Sequence, residues 1–207
     1  MLVIGAKGLA KEVLQLFDEE QYKNDIHFFD DVNLEDSNIL YNKYQIIRTE
    51  NEVKKIFEKD KSFILGLGAP KLRRRLYNRF CKIGGELSGL ISRNSYIGNY
   101  THIDETAIIM SGVKISNGVE IGKALLAYYN VVITHDVSIG NFVELSPGCI
   151  LLGNVKIEDD VHIGSGAIIL PKLKVGKGSI IGAGAVVTDN VQPYSIMKGI
   201  PARKANV

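Results

Sequence analysis

The sequence predicts two dissimilar domains: a small α/β unit with a parallel sheet over residues 1–90 and a parallel β-helix over residues 91–192, followed by a tail over 193–207. Two patterns carry this. From Ile91 a branched aliphatic residue returns every six positions, through Ile97, Ile103, Ile109, Ile115, Ile121, Ile133, Ile139, Leu145, Leu151, Ile157, Ile163, Ile169, Val175 and Ile181 to Val187, with only Ala127 interrupting. Before it, short apolar runs alternate with helix-period segments and glycine turns. A strict repeat of six belongs neither to an α-helix, with its 3.6-residue turn, nor to a strand of period two. It suits a chain in which each hexad supplies one short strand and one corner, three hexads close a triangular coil, and the aliphatic residues stack inside. At about 1.5 to 3 kcal/mol per fully buried aliphatic side chain, such a stack outweighs local propensity.

Residues 1–90 justify the first domain in order. Leu2-Val3-Ile4 predicts a buried strand, Gly5-Ala6-Lys7-Gly8 a turn, and residues 9–20 a helix with Val13, Leu16 and Phe17 on one face. Residues 26–29 predict a second strand ending in Asp30-Asp31. After a polar stretch, residues 51–59 predict a helix, 62–67 a third strand, and 71–83 a helix with Pro70 at its start. This is a Rossmann-like β-α-β-α-β unit, in which ligands sit off the carboxyl ends of the strands. A glycine turn before a helix offers free N–H groups to phosphate, which makes Gly5 and Gly8 candidates. Asp30 and Asp31 stand where a ribose or base can be bound, and Gly66-Leu67-Gly68 ends the third strand. Lys71, Arg73, Arg74 and Arg75 predict a solvated helix face, with a contact from one of them to a phosphate as the alternative.

In the β-helix the fifth hexad position is small or medium and apolar (Val113, Val119, Leu125, Val131, Val137, Val143, Cys149, Val155, Val161, Ala167). Glycine directly after the aliphatic residue (Gly98, Gly122, Gly140, Gly164, Gly176, Gly182) predicts corners with unusual dihedrals. An ordinary β-sandwich would show turn signals every 8 to 12 residues and a drifting period, and this run has no insertion.

Net charge is +2 with both signs interspersed, which argues against a nucleic-acid surface. No apolar run reaches a membrane span and the opening residues lack a secretory leader, so the expectation is a cytoplasmic protein without a membrane partner. The two cysteines do not read as a disulfide framework, and Cys149 faces inward as an inert thiol.

Of four histidines, His135 alone sits beside a corner, at the third hexad position, with its side chain expected to point outward. A neutral imidazole in such a place suits a general base near pH 7. His102, His135 and His162 occupy hexad positions six, three and six, so they do not line up as zinc ligands and no metal is expected.

These residues carry a resemblance. The hexads with the Gly199-Ile200-Pro201-Ala202-Arg203 ending are similar to the left-handed β-helix acyltransferases. The Ile4-Gly5-Ala6-Lys7-Gly8 turn followed by Ala10-Lys11-Glu12, the Phe28-Phe29-Asp30-Asp31 strand end and Gly66-x-Gly68 before an arginine-rich helix narrow it. Together they resemble the sugar acetyltransferases that include bacillosamine-pathway and perosamine N-acetyltransferases and sialic acid O-acetyltransferases. The resemblance implies left-handed coils, a homotrimer with acetyl-CoA as co-substrate between neighbouring β-helices, and a nucleotide-linked amino sugar held by the first domain. It implies that His135 is the base, that Asp136 orients its ring, and that Gly153, one coil later, gives an oxyanion N–H. Ser165 and Ala183 match coenzyme contacts, with Gly164, Gly182 and Gly184 allowing close approach and Arg203 and Lys204 near the CoA phosphates. The turn Gly5, Lys7, Gly8 and Leu9 with Asp30, Asp31 and Gly68 matches the nucleotide-sugar site. Leu9 and Glu144 depart from the pattern, since many relatives carry histidine there, close to the sugar nucleotide and the thioester respectively. The expected activity is acetylation of the 4-amino group of a nucleotide-linked deoxysugar. The alternatives are O-acetylation of a sugar hydroxyl, as on sialic acid, and a non-catalytic trimeric scaffold.

Overall fold

The computed structural model describes residues 1–19, 21–22, 25–35 and 37–205. Contacts divide the chain into one unit of Met1–Gly68 with Leu72–Gly89 and a second of Ala69–Lys71 with Leu90–Val207.

The first unit is a six-stranded sheet. In chain order it holds β1 (Leu2–Ile4), α1 (Leu9–Glu19), β2 (His27–Phe29), β3 (Ile39–Leu40), β4 (Tyr44–Ile47), α2 (Glu50–Phe57), β5 (Ser62–Leu65), α3 (Pro70–Lys82) and β6 (Glu86–Leu87). The last residue of the helix expected over 9–20, Glu20, lies outside the described residues. The sheet order is β3-β4-β2-β1-β5-β6, parallel throughout except for the β3–β4 hairpin. β1, fully buried, is the central strand because Leu2, Val3 and Ile4 are apolar on both faces. Phe28, Phe63 and Phe80 fill the core, with Phe63 and Phe80 rings 5.8 Å apart.

The β3–β4 hairpin and β6 go beyond the predicted unit. Its turn uses Tyr41 and Asn42, both in the left-handed region at φ 52° and 51°, so no glycine marked it. α2 starts one residue earlier than expected because Thr49 and Glu52 form a reciprocal capping box.

At the amino ends of β1 and β5, Met1 donates its terminal ammonium to Asp60 Oδ2 at 2.6 Å. Partial burial raises the pKa of Asp60, but hydrogen bonds from that ammonium and from Ser62 outweigh it and hold the carboxyl at about 2. A depressed carboxyl stabilises the fold above its unfolded value of 3.8 and loses that contribution as pH falls through about 2. Asp60→Asn is therefore expected to cost about 2 kcal/mol near neutral pH, and about half of that gap should vanish by about pH 3. Urea unfolding of both proteins checks this; a gap that does not narrow with acid contradicts it.

The second unit repeats a two-residue strand every six residues from Leu90–Ile91 to Val186–Val187, and ends with Ile196–Lys198 paired antiparallel to Arg203–Lys204. Residues 18 apart pair in register, as Ile109 with Ala127 and Ala127 with Leu145, so three hexads make one coil and three parallel sheets enclose the core. The first hexad position and the fifth fill that core together. Ile91 and Ile97, at the first coil, remain exposed because only one neighbouring coil packs on each. Cys149 is wholly buried, and burial pushes its thiol up to about 12.

The glycines do not play the part expected of them. The backbone turns left-handed at the fourth hexad position, where Gly118, Asp136, Asn154 and Lys172 have φ between 58° and 69°. The glycines directly after the aliphatic residue serve stacking instead: a Cβ on Gly140 would lie 2.8 Å from Asp159 N, and one on Gly164 2.6 Å from Ala183 N. Gly182 likewise faces Met197 and Lys198 of the next coil. Gly164 and Gly182 thus admit neighbouring chain, not ligand.

Among the described residues no helix is long and apolar enough to cross a membrane.

Candidate functional site

Three columns of corners run along the β-helix. In the column containing Asn117, His135, Gly153 and Pro171, successive members occupy the third hexad position, one coil apart. His135 stands 61% exposed, since neither neighbour in the column has a side chain large enough to cover it. Its Nδ1 lies 2.8 Å from Asp136 Oδ2. A carboxylate can only accept, so Nδ1 carries the proton and Nε2 keeps its lone pair for a substrate.

Two glycines make room for this pair. A Cβ on Gly153 would sit 2.6 Å from both Cε1 and Nε2 of His135, and one on Gly118 would sit 3.0 Å from Asp136 Oδ1. The imidazole therefore leans over the next coil and the carboxylate over the previous one. Gly118 escaped sequence reasoning, although a glycine one coil before an acid at a corner is a usable signal.

The Gly153 amide is free for a reason the column itself supplies. Where Asn or Asp stands one coil on, its side chain caps the third-position N–H: Asn99 N donates to Asn117 Oδ1 at 3.0 Å, and Asn141 N to Asp159 Oδ1 at 2.8 Å. One coil after Gly153 stands Pro171, which has no acceptor, and the Gly153 N–H meets no protein acceptor among the described residues. An unpaired N–H beside a basic nitrogen is the pairing that a developing oxyanion and a departing proton require.

The residues expected to hold the coenzyme lie on a different corner column. Pro147-Gly148, Ser165-Gly166 and Ala183-Gly184 succeed one another there, and a Cβ at any of the three glycines would meet nothing within 4 Å. Ser165 and Ala183 are exposed, so this corner is a ledge bare of large side chains. Glu144 is buried at 6%, and its Oε2 accepts from Ala69 N at 2.7 Å. Its partner in register, His162, places Nε2 3.0 Å from Ser146 Oγ and 3.9 Å from Glu144 Oε1. His162 and Ser146 were missed as members of a polar cluster, because their link runs across coils. One chain does not place His135 and Gly153 on the same corner as Ser165 and Ala183. Arg203 meets Asp189 at 3.8 Å, and Lys204 is exposed.

In the first unit a cavity of about 530 Å³ opens off the carboxyl ends of β1, β2 and β5, walled by Gly5, Ala6, Lys7, Asp30, Asp31 and Gly66 with residues of α3. Gly5 has φ 103°, and a Cβ there would press on Gly66 O at 2.9 Å, so the turn requires glycine. The N–H groups of Ala6, Gly8 and Leu9 meet no protein acceptor among the described residues. Gly8, Leu9 and Gly68 stand outside the cavity wall. The Leu9 side chain is buried in the core, which leaves only its amide for a ligand.

Asp30 proves to be a turn cap. Its Oδ1 accepts from Val32 N and Asn33 N, both at 3.0 Å, and its Oδ2 from Asn33 Nδ2 at 2.8 Å. Partial burial raises its pKa, but those bonds prevail and hold it below the usual value. Asp31 pairs with Arg79 at 2.8 Å, and Arg79 reaches Glu50 at the same distance. Desolvation lowers the Arg79 pKa while both carboxylates raise it, with a net rise. Among the described residues no three or more His, Cys, Asp or Glu side chains are grouped to hold a metal ion.

Comparison with known proteins agrees with both units. The model of the PglD N-terminal domain matches residues 1–80, and that of the bacterial transferase hexapeptide (six repeats) matches residues 154–189. No curated protein sequence matches significantly. Among solved structures the chain is similar to WeeI from Acinetobacter baumannii AYE, with 29% identity, TM-score 0.91, and 99% of this chain and 98% of that one covered. The acetyltransferase domain of PglB from Neisseria gonorrhoeae FA1090 shares 25% identity with TM-score 0.86 over 99% of this chain and 98% of that one. That domain is also known in complex with acetyl coenzyme A. PerB from Caulobacter crescentus, in complex with CoA and GDP-perosamine, shares the fold at 23% identity and TM-score 0.88 over 99% of this chain and 96% of that one. The chain thus matches the PglD N-terminal domain in its first unit and the bacterial transferase hexapeptide in its second, and over its whole length it is similar to solved proteins that include an acetyltransferase domain.

Proposed function

We propose that this enzyme transfers acetyl from acetyl-CoA to the 4-amino group of a nucleotide-linked deoxysugar, in a direct ternary complex, with His135 as general base. The observation that carries the reading is the imidazole of His135, held by Asp136, leaning over Gly153 with its free N–H on an outer corner of the β-helix. The solved relatives that hold CoA with GDP-perosamine, or acetyl coenzyme A, support the choice of substrates.

The chemistry follows from those groups. The amine nitrogen attacks the acetyl carbonyl carbon, and Nε2 of His135 takes the proton the nitrogen loses. The carbonyl oxygen gains negative charge, which the Gly153 N–H stabilises. When the C–S bond breaks, the proton on His135 neutralises the departing CoA thiolate, and Asp136 holds the ring in one tautomer throughout. Asp136→Asn keeps a side chain that tolerates the left-handed backbone and removes only its charge. It is expected to lower kcat by about 10- to 100-fold with little change in KM for acetyl-CoA, a split that steady-state kinetics reads.

A homotrimer suits the geometry for two reasons. The base and the bare ledge occupy different corners, so a second copy is needed to face one with the other. The sheets also differ outwardly: Val132, Ile150, Ile168 and Val186 give one an apolar, half-buried stripe, whereas His102, Glu120, Ser138, Lys156 and Lys174 make another wholly polar. The first suits a subunit contact and the second suits solvent.

The test is incubation with acetyl-CoA and UDP-, GDP- and dTDP-linked 4-amino sugars, followed by treatment of the product with hydroxylamine. An acetylated nucleotide sugar that resists hydroxylamine is an amide and agrees with the proposal. A labile ester on a free sugar would replace it with O-acetylation, and absence of any acetyl-CoA thermal shift would leave a scaffold.

A further inference from the structure

We infer that Arg75 grips the phosphates in the first unit's cavity and fits that cavity to a nucleoside diphosphate in preference to a monophosphate. The inference rests on the reading of this cavity as the nucleotide site and assigns within it a specificity-determining residue.

Three cations line the cavity, Lys7, Arg75 and Arg79. Arg79 is spent: it bridges Asp31 and Glu50 at 2.8 Å each, and its guanidinium lies 5.4 Å from the Phe29 ring centre and 5.5 Å from that of Phe80. A side chain so pinned cannot turn to a ligand without breaking two ion pairs. Lys7 donates to Asn33 Oδ1 at 3.0 Å. Arg75 is different. It stands four residues before Arg79 on α3, hence on the same helix face, is exposed, and meets no carboxylate among the described residues. The other cations at the start of α3 do not serve, since Arg73 is 1% exposed and Lys71 and Arg74 lie outside the cavity wall.

Charge balance shows what Arg75 contributes. Lys7, Arg75 and Arg79 line the cavity with Asp30 and Asp31, so its wall carries one net positive charge without ligand. Removal of Arg75 leaves the wall neutral, and an incoming diphosphate loses that attraction in a partly enclosed space where screening is weak. The amides of Ala6, Gly8 and Leu9 at the start of α1 can hold one phosphate, as at other helix starts. A planar guanidinium across the cavity supplies the bidentate partner for the second. A monophosphate uses one of these features and a diphosphate both.

Calorimetric titration of the full-length protein with UDP, GDP and dTDP, and with the matching monophosphates, tests the assignment. The wild type is expected to prefer its diphosphate to the matching monophosphate by about tenfold or more, and Arg75→Gln to weaken the diphosphate by roughly 10- to 100-fold while leaving the monophosphate nearly unchanged. Arg75→Lys should recover part of the loss, and Lys71→Gln, the same charge change outside the cavity, should have no effect. Circular dichroism verifies the fold of each variant. If Arg75→Gln binds the diphosphate as the wild type does, Arg75 has no such role and the nucleotide site itself stands. If the wild type binds none of these nucleotides, the reading of the cavity fails and the assignment with it.

Discussion

Replacing His135 with alanine is expected to reduce turnover by on the order of a hundredfold or more, with binding of acetyl-CoA nearly unchanged. The effect is large because Asp136, the acid left beside this corner, is a far weaker base than imidazole, and Asn117, Gly153 and Pro171 in the column carry no base. The fold should survive. The imidazole is largely exposed, and the interaction His135 makes with the next coil runs through its carbonyl, which accepts from Asn154 N at 3.1 Å and is kept by alanine. Unfolding temperature and a calorimetric acetyl-CoA titration separate lost chemistry from lost structure. Wild-type turnover in the variant would remove His135 from the mechanism.

Gly153→Ala is expected to have the second largest effect, a loss of kcat of about 10- to 1,000-fold. The added methyl would lie 2.6 Å from Cε1 and Nε2 of His135, closer than non-bonded atoms approach. The obstacle is the tip of an exposed side chain, so the protein can relieve the clash cheaply by swinging the imidazole aside. Stability should change little, and the cost falls on catalysis, because the displaced ring loses its place over the Gly153 N–H. The double variant with His135→Ala makes the argument quantitative. Once the imidazole is gone the methyl has nothing to displace, so Gly153→Ala should add far less than its single effect. Additive losses would show that the methyl acts elsewhere.

How much of this was legible in the sequence depends on which atoms carry the information. The hexads state the β-helix outright, because inward and outward positions recur at fixed spacing and burial selects aliphatic residues at every repeat. The His135-Asp136 dipeptide was legible for a related reason: at a known hexad phase its outward direction follows. Roles that arise between coils were not. Gly118 and Gly140 are both corner glycines, yet one turns the backbone left-handed beside an acid and the other admits the next coil. The Ser146–His162–Glu144 cluster joins residues 16 and 18 apart, a link that depends on side-chain directions across neighbouring coils and not on the coil length alone. In the first unit the aspartates were legible as residents of the strand end but not in their duties. Asp30 closes its own turn through Val32 and Asn33, and Asp31 is tied to Arg79 from α3. The same long-range pairing singles out Arg75, since the basic residues Lys71, Arg73, Arg74 and Arg75 are equivalent until α3 sets which one faces the cavity without a carboxylate.

The most direct measurement is a crystal structure of the protein with bound acetyl-CoA. The thioester carbonyl oxygen is expected within hydrogen-bond distance of Gly153 N, beside Nε2 of His135, with the pantetheine arm along the Ser165 and Ala183 ledge of a neighbouring copy. A thioester bound away from His135, or a coenzyme held wholly by one chain, would contradict the account.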